Sequence, residues 1–68
     1  MKTKKWKPKI EEIYYVPDIF GSSLYESNTW YDNLFNQWIF NKNLVCKTPK
    51  EAITLAKAML KVAERRGK

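Results

Sequence analysis

The side chains that usually carry chemistry are scarce in this chain and poorly spaced for it. There is no histidine and a single cysteine, Cys46, so a thiolate nucleophile would lack the imidazole that activates it in papain-like sites. Set beside Val45 in a stretch of β-formers, Cys46 reads as a small core residue. Glu11 and Glu12 are neighbours, and neighbouring residues of a strand point to opposite faces, so they cannot work together as acid and base. Gly21 and Gly67 are the only glycines, too few for a loop that cradles phosphate. The chain is expected not to be an enzyme and to need no cofactor or metal.

What remains is binding, and the charge distribution says where. The net charge is +6, unevenly spread. Residues 1–9 hold five Lys and no acid, residues 10–46 hold Lys42 against Glu11, Glu12, Asp18, Glu26 and Asp32, and residues 47–68 hold seven basic groups against Glu51 and Glu64. A basic arm, residues 1–9, therefore precedes the domain, residues 10–68, whose body is mildly acidic and whose end is basic. A polyanion should meet the arm and the C-terminal segment, although Lys-rich ends also serve solubility.

Length sets the frame that must position these groups. A chain of 68 residues is one domain burying roughly 60% of its unfolded surface, a marginal core with no room for a deep cleft. Without disulfide or metal, that core must come from aromatic packing. The lone thiol suits a reducing cytoplasm. "WKPKIEEIYY" replaces the apolar run of a signal peptide, and no apolar stretch reaches the ~20 residues of a membrane helix. No membrane partner is expected.

"TPKE", Thr48 to Glu51, assembles a helix start: Thr48 as N-cap, Pro49 where its missing N–H costs nothing, and Glu51 in place to reach back to the cap. Ala52, Leu55, Ala56, Met59, Leu60 and Ala63 then recur at helical spacing with Ile53 beside them, and Lys50, Thr54, Lys57, Lys61, Glu64 and Arg65 fall opposite. The helix should run from Pro49 to about Arg66, with Gly67 ending it. "EEIYYV" (Glu11–Val16) and "LYESNTWY" (Leu24–Tyr31) alternate as strands around the turn "PDIFGSS", giving a β-hairpin. In residues 32–43, Leu34, Phe35, Trp38 and Ile39 share a helical face and Asp32 could cap it. A short helix is therefore expected there, and Asn43 should take a left-handed turn into a third strand over "LVCK". The expected fold is α+β, in the order β-β-(short α)-β-α: a three-stranded antiparallel sheet with the C-terminal helix packed on one face.

Trp6, Pro8, Tyr14, Tyr15, Trp30, Thr48, Glu51 and Ala52 form a pattern of Trp-x-Pro, Tyr-Tyr, a later Trp and Thr-x-x-Glu-Ala. It resembles a family of small phage and prophage proteins of Gram-positive bacteria. The chain departs from it at Glu11 and Glu12, at Asn43 and Leu44, and at Cys46. The resemblance implies a setting, the cytoplasm of a host cell, and no mechanism. Three strands followed by Thr-x-x-Glu-Ala also look like the plant AP2-type and phage-integrase arm-binding DNA domains. Their docking mode does not carry over, because the hairpin here has no basic residue between Ile10 and Tyr31.

Two classes of partner stay open. Nucleic acid would be held by Lys50, Lys57, Lys61 and Arg65 on one helix face, joined by Arg66 and by Lys4, Lys5 and Lys7 of the arm, tracking phosphates without reading bases. Complementing the helix dipole explains Arg65 and Arg66 but not Lys50 in the first turn. The alternative is a host protein such as a polymerase, nuclease or immune effector, gripped by exposed aromatics, with Trp38 and Phe40 as anchors. Against that, Trp38 and Phe40 could simply close the second face of the sheet. A homodimer through that surface would satisfy both.

Overall fold

The computed structural model describes residues 6–67. Its elements are β1 (Ile13–Pro17), β2 (Tyr25–Thr29), α1 (Leu34–Asn41) and α2 (Pro49–Arg66). β1 and β2 pair antiparallel, with Tyr15 opposite Ser27 and Val16 opposite Glu26. Beyond the strands, Trp30 donates its N–H to the Glu12 carbonyl and Glu11 donates to Trp30. The loop at the other end is closed by Asp18, whose Oδ1 accepts the N–H groups of Phe20 and Gly21. A side chain at position 21 would put its Cβ 2.6 Å from Asp18 Oδ2, so any residue but glycine would displace the Asp18 carboxylate that closes this turn.

The α+β class is as expected, but among the described residues the sheet has two strands and not three. The "LVCK" segment meets β1 at a single antiparallel bridge, Tyr15 with Cys46, joined by bonds of 3.0 and 2.7 Å. Three commitments stop it from extending. The next hydrogen-bonded pair toward the loop would join residues 17 and 44, but Pro17 has no N–H and Leu44 spends its own on Ile39 O. On the other side the next pair would join residues 13 and 48, but Thr48 already caps α2, its carbonyl accepting the Ala52 N–H. The order becomes β-β-α-α, with the bridge in the final connection.

The start of α2 matches the reading of "TPKE" in most respects. Thr48 is extended, its hydroxyl accepts the Glu51 N–H at 3.2 Å, and Pro49 opens the helix. Glu51 reaches one residue further back than expected, to the N–H of Lys47 at 3.0 Å and not that of Thr48. α2 lies against both strands, with Ala52 and Ala56 fully buried and Ile53, Leu55 and Leu60 half-buried. Two residues without side-chain bulk let the helix approach the sheet closely. From Lys61 onward every described residue is exposed, including Ala63, so the last turns of α2 extend beyond the part of the helix that packs.

The aromatic core is built from Tyr14, Val16, Trp30 and Ile39, with Trp6, Phe40, Leu44 and Val45 packed around it. Tyr14 and Trp30 meet edge to face at 5.8 Å, and Trp30 and Phe40 likewise at 6.1 Å, the arrangement that ring quadrupoles favour. None of its members belongs to α2.

α1 forms where a short helix was expected, but it is rotated so that its apolar face is split, with only Ile39 of the four turned inward. Asn36 and Ile39 are buried, and Leu34, Phe35 and Trp38 are exposed. The cap is Asn33 and not Asp32: Asn33 Oδ1 accepts the Asn36 N–H at 2.8 Å. Asp32 sits just before it at φ 56°, a conformation that Asp tolerates better than most. What turns the helix is the side chain of Asn36, whose Nδ2 donates to the Tyr14 hydroxyl (2.8 Å) while its Oδ1 accepts the Tyr31 N–H (2.7 Å). A buried amide with both ends bonded carries little penalty, whereas stranding either partner costs about 1–3 kcal/mol.

These bonds set two expectations for stability. Thr48→Ala with Glu51→Ala should lower unfolding free energy by about 1–2 kcal/mol; a chemical denaturation midpoint that does not move would remove the cap from the account. Asn36→Ala should cost about 2–3 kcal/mol. In a double-mutant cycle with Tyr14→Phe, the coupling should be at least ~0.5 kcal/mol, and additivity would show that the Asn36–Tyr14 bond does not hold α1.

Candidate functional site

The basic residues of α2 occupy one line. At about 100° per residue, Lys57 and Lys61 lie within about 20° of Lys50 and Arg65 within about 60°. Ala52 and Ala56, which face the sheet, lie about 120–160° away on the same wheel. All four cations are exposed, and among the described residues none is held in an ion pair. Glu64 borders the row, and Arg66 falls about 160° from Lys50, on the other side of the helix. From Lys50 to Arg65 the row is about 22 Å long at 1.5 Å per residue. Beside it, Thr48, Lys50, Glu51, Thr54, Leu55 and Ala58 line a broad, open shelf.

The N-terminal cations divide. Lys4 and Lys5 lie outside the described residues. Lys7 is exposed, and its Nζ stands 5.8 Å from the Trp30 ring and 5.9 Å from the Phe40 ring, at the outer range of a cation–π contact. Lys47 stands similarly over Trp6 at 6.0 Å. Trp6 is half-buried and Pro8 buried. Lys7 is thus drawn toward the aromatic core and away from the row on α2.

The two aromatic anchors also part company. Trp38 is exposed, with Lys42 Nζ 5.8 Å from its ring. Phe40 is half-buried against Trp30, which corrects its reading as an exposed anchor: in α1 it falls on the side that Asn36 and Ile39 turn inward. The surface that the sequence reading missed is Tyr31, Leu34 and Phe35, exposed alongside Trp38. Helical spacing groups Leu34, Phe35, Trp38 and Ile39 on one face, but the fold splits them: Ile39 is buried and the other three are exposed. The signal for this split is Asn36 with Asn33 three residues before it, a cap and a buried amide in place of an apolar stripe.

Trp6, Phe40, Asn43 and Val45 line a hollow of about 120 Å³, below the ~300 Å³ at which small-molecule sites begin; the shelf beside the basic row is larger, about 580 Å³, but wide open to solvent. Among the described residues, no group of His, Cys, Asp and Glu is arranged to hold a metal ion, and no helix is long and apolar enough to cross a membrane. Cys46 is buried, its Sγ 3.7 Å from Leu44 O. Burial first, and the Glu51 carboxylate second, push its thiol pKa above the ordinary value, so it stays protonated and weakly nucleophilic at neutral pH. No protein-family model, no curated protein and no solved structure matches the chain.

The thiol gives a pH test. Because its folded pKa is raised, the native state keeps a proton that the unfolded chain has lost. The associated stabilisation is complete below the ordinary thiol value of about 8.5 and disappears as pH climbs through the folded value. Between the two thiol values the folded state holds more protons than the unfolded one, so stability falls as pH rises, and the parent should lose more than Cys46→Ala, which shares every other titrating group. Parallel curves would place Cys46 in a more polar setting than the fold gives it.

Proposed function

We propose that this chain is a small, non-enzymatic accessory protein of the phage or prophage type that binds nucleic acid through the exposed basic face of α2. The observation that carries this reading is the row of Lys50, Lys57, Lys61 and Arg65 on the side of α2 turned away from the sheet, with no acid pairing it among the described residues. Cations at four-residue spacing repel one another on a helix, and a phosphate backbone offsets that repulsion by releasing condensed counterions. A row about 22 Å long spans about six steps at 3.4 Å per strand residue. It offers positive charge without donors fixed in a groove, so the binding is to backbone, insensitive to base sequence. The free, buried thiol of Cys46 suits the reducing interior of a host cell.

A second reading, contact with a protein, is favoured by a different observation: Leu34, Phe35 and Trp38 stand exposed together on α1. That surface is nearly uncharged and would add nothing to phosphate binding. It would act beside the basic row and independently of it.

Replacing Lys50, Lys57 and Lys61 by Gln should weaken binding to random duplex DNA and to RNA about equally for all sequences. On duplex, the slope of log affinity against log salt should shrink by up to ~0.9 for each phosphate that is no longer neutralised. The replaced side chains are exposed, so the far-UV spectrum and melting curve should stay as they were. Absence of salt-sensitive binding by the parent near physiological ionic strength would end the nucleic-acid reading.

A further inference from the structure

The outward face of α1 groups four large apolar side chains that the fold leaves uncovered. Leu34 is 84% exposed, Tyr31 and Phe35 59% each, and Trp38 55%. Clusters of this kind on so small a protein mark contact sites. Its charges are unusual in their order. From Tyr31 to Lys42 the only charged residues are Asp32, just before the helix, and Lys42, its C-cap. An acid stands at one end of the apolar face and a base at the other.

We infer that this face binds the same face of a second copy, the two α1 helices running antiparallel about a two-fold axis. Centred between Phe35 and Trp38, that rotation pairs position i with roughly 73 − i and brings the two ends of the face within about one residue's rise of each other. It sets Phe35 against Trp38 of the partner and Trp38 against the partner's Phe35. Asp32 is carried to the partner's Lys42, and the reverse contact follows from symmetry, as it must in an isologous interface. Lys42 already lies along this face, over its own Trp38 at 5.8 Å, so its ammonium is at the rim where an incoming carboxylate would arrive. A parallel arrangement would set acid against acid and base against base.

The area agrees. Aromatic side chains present about 150–250 Å² each, and the exposed fractions above leave on the order of 500 Å² per copy. Two copies would bury about 1,000 Å² together, the lower bound for a specific interface and the size of a weak, reversible one. Aromatic anchors at the centre with an ion pair at each rim is also the usual layout of such interfaces. Dimerisation would join two basic rows in one particle, but it does not depend on those rows binding nucleic acid.

Sedimentation equilibrium of the full chain, without nucleic acid, should show the weight-average mass rising from 8.1 kDa toward twice that between about 1 µM and 1 mM. Leu34→Asp should hold the mass at the monomer value throughout, with an unchanged far-UV spectrum, since that side chain touches little. Should Leu34→Asp fail to fold, Leu34→Ser serves in its place. Asp32→Lys and Lys42→Asp should each weaken self-association about three- to ten-fold through two like-charge rim contacts. An equimolar mixture of those two variants should associate better than either alone, because each supplies the sign that the other lacks. A monomer at every concentration would give the face to a different protein and overturn the proposal. So would a dimer that survives Leu34→Asp, or a mixture no better than its components.

Discussion

The hydrogen bond between Asn36 and the Tyr14 hydroxyl, 2.8 Å long and buried, decides which side of α1 faces the sheet. It spans 22 residues of chain and joins the short helix to the first strand. Tyr14 is itself locked by its edge-to-face contact with Trp30, and the same Asn36 fixes the backbone at Tyr31. One amide therefore sets the chain direction out of β2, the rotation of α1 and the placement of Ile39 and Phe40 in the core. In a low-dielectric interior such a network is stiff when every member is bonded, and no buried side-chain donor or acceptor is left without a partner among the described residues.

That constraint explains why the molecule has two chemically different surfaces. With Asn36, Ile39 and Phe40 turned in, Leu34, Phe35 and Trp38 can only face out. Meanwhile Ala52 and Ala56 press α2 onto the strands and leave its far side to Lys50, Lys57, Lys61 and Arg65. An apolar, nearly neutral face and a cationic one arise from packing decisions made at separate places in the chain. Neither surface takes part in the aromatic core, so each is free to change without unfolding the other.

The parts legible in the sequence were those governed by local rules. Thr48, Pro49 and Glu51 announce the start of α2 whatever packs on it, and the alternation around "PDIFGSS" announces the hairpin. Asn43 takes φ 63°, as a residue type suited to that conformation should. The missing third strand was not legible in the same way, because β-propensity in "LVCK" says nothing of where the N–H of Leu44 and the carbonyl of Thr48 are spent. The rotation of α1 was hidden for a related reason: periodicity groups Leu34, Phe35, Trp38 and Ile39, but one polar residue with two good partners, Asn36, decides which of them turn inward. The basic row was readable as a pattern; its freedom from ion pairs and the withdrawal of Lys7 toward Trp30 depend on tertiary geometry.

Pro17 has an effect beyond limiting the sheet to two strands. "IYYV", Ile13 to Val16, is the kind of short, uncharged, β-prone segment that seeds cross-β stacking when its edge is open. On the outer edge of β1 the alternating donors belong to residues 13, 15 and 17. Tyr15 is bonded to Cys46 and Pro17 has no donor to offer, which leaves the N–H of Ile13 alone. A second chain cannot dock along that edge in register. The proline that cuts short the fold's own pairing thereby also limits intermolecular pairing along this β-prone edge, in the manner of edge prolines generally.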